Sequence, residues 1–404
     1  MKSVKWGTAV PLIGGLSVAA KNVTGVDPAF FISYSAFGEN EQNAKAYFKN
    51  TPHYLLDSPE RGGFNVSEHQ DVDFINAVCP CAGLSLLSSG NQEQRSKMNY
   101  WMLETARVVT GEVRPKVFWG ENAPALYSAS GKSVREELRS IAEQNGYSFS
   151  IYLTNTVHHG IPQNRKRTFY FFWRDSGAPI FDYYKREMPG LAEYLSRVPA
   201  DSIHHSQAEV QAATDKLAAN PYVLFLQQKH QGKGLEVLRQ HLLDKNIKGI
   251  TLLTYLAKSG QLAEARDWLQ AQGHEKHYRE AERVLNKVKI EGNYWDGSYP
   301  IYNGSGDMST LISRTLDTIH PAEDRLFTIR ECMHMMGLPH DFELVTMSTN
   351  NICQNVPVNT GSDMTREVMK YVNGEAKISN SSFLMQSNLN ERVDVSESSL
   401  LAFY

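Results

Sequence analysis

The sequence predicts an α/β fold: a doubly wound, mostly parallel sheet with an inserted, smaller, helix-rich domain. Three observations support it. Short apolar runs alternate with helix-period segments through residues 1–174. From about Asp175 to His320 that rhythm gives way to consecutive helix-like pieces. Two further helical segments follow over residues 323–376, as a return to the first domain. At 404 residues, with 41% hydrophobic and 21% charged, the chain has the size and balance for a globular protein of two domains, or one carrying an insertion.

Taken in order, Val10-Pro11-Leu12-Ile13-Gly14-Gly15 reads as a strand end breaking into a glycine turn before a helix. A plain turn and a nucleoside-binding loop both fit it. Phe30 to Tyr34 is a second strand, followed by Glu39 and a helical Asn43 to Phe48. An acid placed there either meets ribose hydroxyls or is simply solvated. Phe74 to Val78 is a buried strand that Pro80 stops, presenting the Cys81 thiol on the turn beyond it. That cysteine is structural or reactive on this stretch alone.

Gln94 to Val109 has apolar residues at helical spacing and reads as a crossover helix. Val117-Phe118-Trp119 is a further strand, with Glu121 at its carboxyl end as a surface or an active-site acid. Ser133 to Glu136 has the pattern of a capping box opening the next helix, which stops at Gly146. The basic run Gln163-Asn164-Arg165-Lys166-Arg167 precedes the strand Thr168 to Trp173.

In the insertion, helical pieces are expected at Leu191–Val198, Gly234–Leu243, Thr251–Lys258, Leu262–Gln270 and Tyr278–Val288. Lys and Arg outnumber Asp and Glu from Lys229 to Lys289, although the whole chain carries a net charge of −3. Any nucleic-acid contact must therefore come from local basic patches, and a solvated helical face explains the same charges. Thr328 to Glu331 opens another helix, Thr365 to Val372 forms the last, and the Ser/Asn-rich chain past Lys377 reads as a mobile polar tail. The four cysteines (Cys79, Cys81, Cys332, Cys353) show no zinc-type pairing and read as reduced thiols in a cytosol-like compartment. No secretory leader and no bilayer-length apolar stretch is expected.

In this order the pieces resemble the cytosine-C5 DNA methyltransferases. Pro80-Cys81 matches the family's proline-cysteine signature, Glu121-Asn122-Ala123 its Glu-Asn-Val, and Gln163 to Arg167 its Gln-x-Arg-x-Arg. Arg325-Leu326-Phe327-Thr328-Ile329-Arg330-Glu331 matches a further stretch, and Gln354-Asn355-Val356-Pro357 matches the terminal motif imperfectly. Val10-Pro11-Leu12-Ile13-Gly14 departs from Phe-x-Gly-x-Gly, with one aromatic residue and one glycine fewer, and Ala82 replaces a glutamine.

The resemblance implies a Rossmann-like methyltransferase sheet and S-adenosylmethionine as methyl donor. It also implies a cytosine flipped from duplex DNA as substrate. Cys81 is then the nucleophile, Glu121 the proton source for N3, and Arg165 the stabiliser of charge near O2 and the thiolate. Arg167 pairs with Glu121 or a phosphate. The donor site is expected from Leu12, Ile13, Gly14, Gly15, Glu39, Asp57, Pro80, Asn355 and Val356, with Asp71 and Asp73 as rivals of Asp57. No metal is expected. The implied domains are a catalytic domain over 1–174, a target-recognition domain over 175–322, a return to the catalytic domain over 323–376 and the tail over 377–404. The expected protein is a monomer in the cytoplasm of a bacterium or a virus-infected cell. A transfer-RNA substrate and a catalytically silent DNA-binding descendant are the alternatives.

Overall fold

A computed structural model describes residues 4–79, 92–174, 177–286, 299–312, 315–346 and 349–389. The expectations for Pro80, Cys81 and Ala82 fall outside these residues. The first half builds strands β1 (Trp6–Ala9), β2 (Phe31–Ser33), β3 (His53–Leu55), β4 (Phe74–Ala77), β5 (Val117–Asn122), β6 (Ser148–Asn155), β7 (Gln163–Asn164) and β8 (Lys166–Trp173). Between them lie helices α1 (Gly15–Thr24), α2 (Gln42–Tyr47), α3 (Gln92–Val108) and α4 (Lys132–Gln144).

Seven of these strands, all but β7, join one sheet in the order β6-β8-β5-β4-β1-β2-β3. β3, β2, β1, β4 and β5 run parallel, while β8 is antiparallel to both of its neighbours. The near-continuous apolar character of β5 and β8 follows from burial on both faces. Order reverses at β1, so right-handed crossovers carry α1 to one face and α3 to the other. The carboxyl ends of β1 and β4 open the crevice where such sheets take ligands.

The turn after β1 is strained. Val10 (φ 47°) and Leu12 (φ 49°) both hold left-handed backbone, which L side chains adopt only at a cost of about 1–2 kcal/mol each. Leu12 stands where the family pattern has glycine, the residue suited to this backbone. Both side chains are buried, and their packing offsets the strain.

The insertion contains α5 (Leu191–Leu195), α6 (Gln207–Ala218), α7 (Pro221–Lys229), α8 (Gly234–Asp244), β9 (Gly249–Thr251), α9 (Leu252–Lys258), α10 (Leu262–Ala271), α11 (Glu275–Leu285) and β10 (Pro300–Tyr302). β9 and β10 pair antiparallel. Helices α6 to α11 surround a core of their own, built on residues such as Leu226, Leu238, Leu256 and Leu269. This separately packed unit starts later than the expected 175. Ala178 and Phe181 belong to the core of the large sheet, and Leu191 and Tyr194 to a cluster that joins α1 to the later helices. α6 and α7 add to the expected helices; Ser206 with Glu209 forms a true capping box for the first, and Asn220 caps the second.

The return consists of β11 (Met308–Ser309), which pairs with β7, then α12 (Ile329–Met335), α13 (Thr349–Gln354) and α14 (Val358–Val372). α14 packs on α1, where a Cβ on Gly361 would approach Ala19 Cβ to 2.9 Å. Two expectations are corrected. α4 begins at Lys132 behind Gly131 with no side-chain cap, so Ser133 is not a capping residue; a side chain at Gly131 would strike the Ala125 carbonyl at 2.2 Å. The polar tail is not wholly a tail: β12 (Phe383–Ser387) pairs parallel with β6 at the sheet edge. Its amide side chains are used structurally, Gln386 Oε1 accepting from Phe181 N and neighbouring Asn388 Oδ1 from Tyr184 N, each at 2.9 Å.

Candidate active site

The site forms where strand ends converge. Glu121 is the fifth residue of β5, facing Phe169 of β8, and Arg167 lies two residues earlier on β8, on the same face. Their side chains meet as an ion pair, Arg167 Nε to Glu121 Oε1 at 2.5 Å, with only 16% and 4% of each exposed. Burial pushes the Glu121 carboxyl above its usual range, against the downward pull of Arg167 and the more remote Arg165.

Arg165 does not share that contact. Its guanidinium is buried and donates to the carbonyls of Cys353 (2.6 Å), Asn355 (3.1 Å) and Leu311 (3.4 Å). Of the two partners expected for Arg167, Glu121 is the one it meets, while Arg165 pins the segment that carries Asn355. Gln163 is a brace, its amide donating to Met335 O (3.0 Å) and accepting from Leu311 N (3.1 Å). Sequence reasoning missed Asn155, whose Oδ1 accepts from Arg165 N at 3.0 Å and shapes the turn. His159, just before this run, is wholly buried between Asp363 (2.8 Å) and Thr154 (2.7 Å).

Cys79 is the described cysteine nearest the proline-cysteine turn. It is buried, and burial pushes its thiol up to about 11, so it is a poor thiolate.

On the other side of the crevice, Gly14 (φ 101°) turns the chain into α1 and Leu12 and Ile13 are buried. Gly15 is met by Asn355: a Cβ there would lie 1.9 Å from Asn355 Oδ1 and 2.4 Å from its Nδ2. That Nδ2 is buried and has no hydrogen-bond partner among the described residues. Val356 next to it is fully buried. Asp57 follows β3, and its carboxylate accepts from Ser35 N at 2.9 and 3.0 Å and from Ser35 Oγ at 2.5 Å. Partial burial raises its pKa, but these bonds outweigh that and hold the carboxyl below its usual range. The rivals lie at the opposite end of the sheet: Asp73 precedes β4 and binds Lys5 N and Lys116, and Asp71 pairs with Lys5. Glu39 is exposed on the turn before α2, whereas Glu41 is buried against Ser33 and His53.

The model of the C-5 cytosine-specific DNA methylase family matches residues 12–370. The chain belongs to that family. Type II methyltransferase M.DdeI of Desulfomicrobium norvegicum is 26% identical over 285 residues, 67% of this chain and 64% of that one. DNA (cytosine-5)-methyltransferase 1A of Oryza sativa subsp. japonica is 23% identical over 67% of this chain, but only 20% of its own length is covered. The chain thus spans just under two thirds of the bacterial relative and a fifth of the plant one. Among solved structures, a prophage-encoded E. coli protein described as a DNA modification methyltransferase superposes with a TM-score of 0.56 at 15% identity, covering 92% of this chain and all of that one.

Members of this family use S-adenosylmethionine as methyl donor. The residues present fit such a group. The buried, unpartnered Asn355 Nδ2 packs against the bare Cα of Gly15 at the start of α1, a helix end whose first N–H groups lack intrahelical partners. Gly15→Ala is accordingly expected to force Asn355 aside, weakening S-adenosylhomocysteine binding at least about tenfold in calorimetric titration. Unchanged affinity would remove Asn355 and Gly15 from the donor site. Among the described residues no cluster could hold a metal ion, and no helix is long and apolar enough to cross a membrane.

Proposed function

We propose that this methylase transfers a methyl group from S-adenosylmethionine to C5 of a cytosine flipped out of duplex DNA, through a covalent bond between Cys81 and C6. The observation that supports it best is the buried Glu121–Arg167 pair at the carboxyl end of β5, on the same edge of the sheet as the glycine turn after β1. Plant relatives named as DNA (cytosine-5)-methyltransferases, beside bacterial ones named as Type II methyltransferases, favour DNA over RNA.

Each group has a part that follows from its chemistry. C5 of cytosine is too electron-poor to take a methyl group directly. The Cys81 thiolate adds at C6, making the ring an enamine with a nucleophilic C5. Charge then moves to N3, where Glu121 in its protonated form delivers the proton. The second Glu121 oxygen accepts from the exocyclic amine, which selects cytosine over thymine. Arg167, a fixed fork of donors, stabilises charge at O2 once the base displaces part of its contact with Glu121. When bound, the sulfonium supplies the methyl group to C5. Loss of the C5 proton to water, expulsion of the thiolate and return of the N3 proton to Glu121 then restore both ring and enzyme. The glycine loop with Asn355 and Asp57 holds the donor, and helices α6 to α11 grip the duplex and read bases flanking the target.

The test uses methyl-labelled donor with duplex DNA, single-stranded DNA and transfer RNA. Label in the duplex is expected; label confined to transfer RNA would replace the substrate, and binding without label would leave a silent DNA-binding protein. A duplex carrying 5-fluorocytosine is expected to trap a covalent complex, because its C5 has no proton to lose. Binding of that duplex without trapping would count against the covalent step.

A further inference from the structure

Three aromatic rings close over the carboxyl end of β1. Tyr34 directly follows β2, Phe37 comes one turn later, and Trp101 reaches in from α3. The Tyr34 and Trp101 ring centroids are 4.5 Å apart, and Phe37 meets Trp101 edge-on at 5.4 Å. The Cys79 thiol, just past β4, points to the Trp101 carbonyl at 4.0 Å. β2 and β4 are the two neighbours of β1 in the sheet, so a residue touching the ends of both lies across the mouth of β1.

That mouth is where the glycine loop begins, and there the chain lacks an aromatic residue. Val10 holds the position at which the family pattern has phenylalanine, and it is completely buried. Tyr34 and Phe37 are also nearly closed off, whereas Trp101 is only half-buried. Its indole N–H makes no hydrogen bond among the described residues. Asp57, by holding Ser35, fixes the turn between Tyr34 and Phe37. A purine is recognised by such a half-exposed ring packed against other rings.

Resting on the donor reading above, we propose that Trp101, backed by Tyr34 and Phe37, supplies the aromatic face for the adenine ring of S-adenosylmethionine. A different element, α3, thereby provides the ring that the first loop does not carry.

Titration of S-adenosylhomocysteine into the full chain, Trp101→Ala and Trp101→Phe tests this without turnover. The parent is expected to bind with quenching of tryptophan fluorescence. Trp101→Ala should bind about tenfold more weakly. Trp101→Phe should stay within about threefold of the parent and lose the quench. Melting curves without ligand show whether the alanine variant folds; if it does not, the phenylalanine variant still decides. Parental affinity in Trp101→Ala, or full quenching in Trp101→Phe, overturns the proposal while leaving the donor reading intact. A parent chain that binds no S-adenosylhomocysteine overturns both.

Discussion

Cys81→Ala is expected to reduce methyl transfer to duplex DNA by at least about 10³-fold while binding of the duplex and of S-adenosylhomocysteine survives. No other thiol can take over. Cys79, two residues away, is pushed up to about 11 by burial, so only about one molecule in ten thousand carries its thiolate at pH 7. Cys332 and Cys353 are likewise buried among apolar side chains. Single-turnover rates and the 5-fluorocytosine trap measure the same group in two ways. Loss of the rate together with loss of the trap assigns the nucleophile; more than a tenth of the parental rate in Cys81→Ala would sink the assignment.

Glu121→Gln is expected to lower the single-turnover rate by about 10²- to 10⁴-fold, the usual contribution of a positioned acid. The pH dependence carries the sharper signature. Burial raises the carboxyl pKa, so the proton-bearing form persists further towards neutrality than for an exposed glutamate. The parental rate should fall as pH rises through that raised value, because ionised Glu121 has no proton for N3. An opposing limb rises with pH as the Cys81 thiol ionises. Glutamine has no proton to lose in this range, so Glu121→Gln should keep only the rising limb. A variant with the same falling limb as the parent would show that the acid titrating there is another group.

The alternation of apolar runs and helical spacing made the central sheet legible, because strands buried on both faces advertise themselves as unbroken hydrophobic segments. Glu121 and the run from Gln163 to Arg167 could be picked out because motif order restricts where such residues fall. Glu121 as a partner of Arg167 was among the expectations, but the backbone carbonyls that Arg165 holds were not. Arg165 and Arg167 are the same residue type two positions apart, and only the pairing register of β5 with β8 puts one against Glu121; the turn held by Asn155 sends the other to backbone carbonyls. The choice among Asp57, Asp71 and Asp73 was likewise a question of which end of a strand each occupies. Composition misled at the other extreme, where Ser, Asn and Gln suggested a tail. Those amides satisfy buried backbone groups, so their polarity reflects hydrogen bonding within the fold instead of contact with water.

That last strand also bears on where the molecule can be cut. The family match ends at residue 370, and β12 begins thirteen residues beyond it. A version trimmed at the match would leave the flank of β6 from Phe149 to Leu153 with its peptide groups unanswered. Bare flanks of this sort recruit strands from other molecules. Such a shortened protein should therefore clump in sizing columns at concentrations where the longer one runs as a single species.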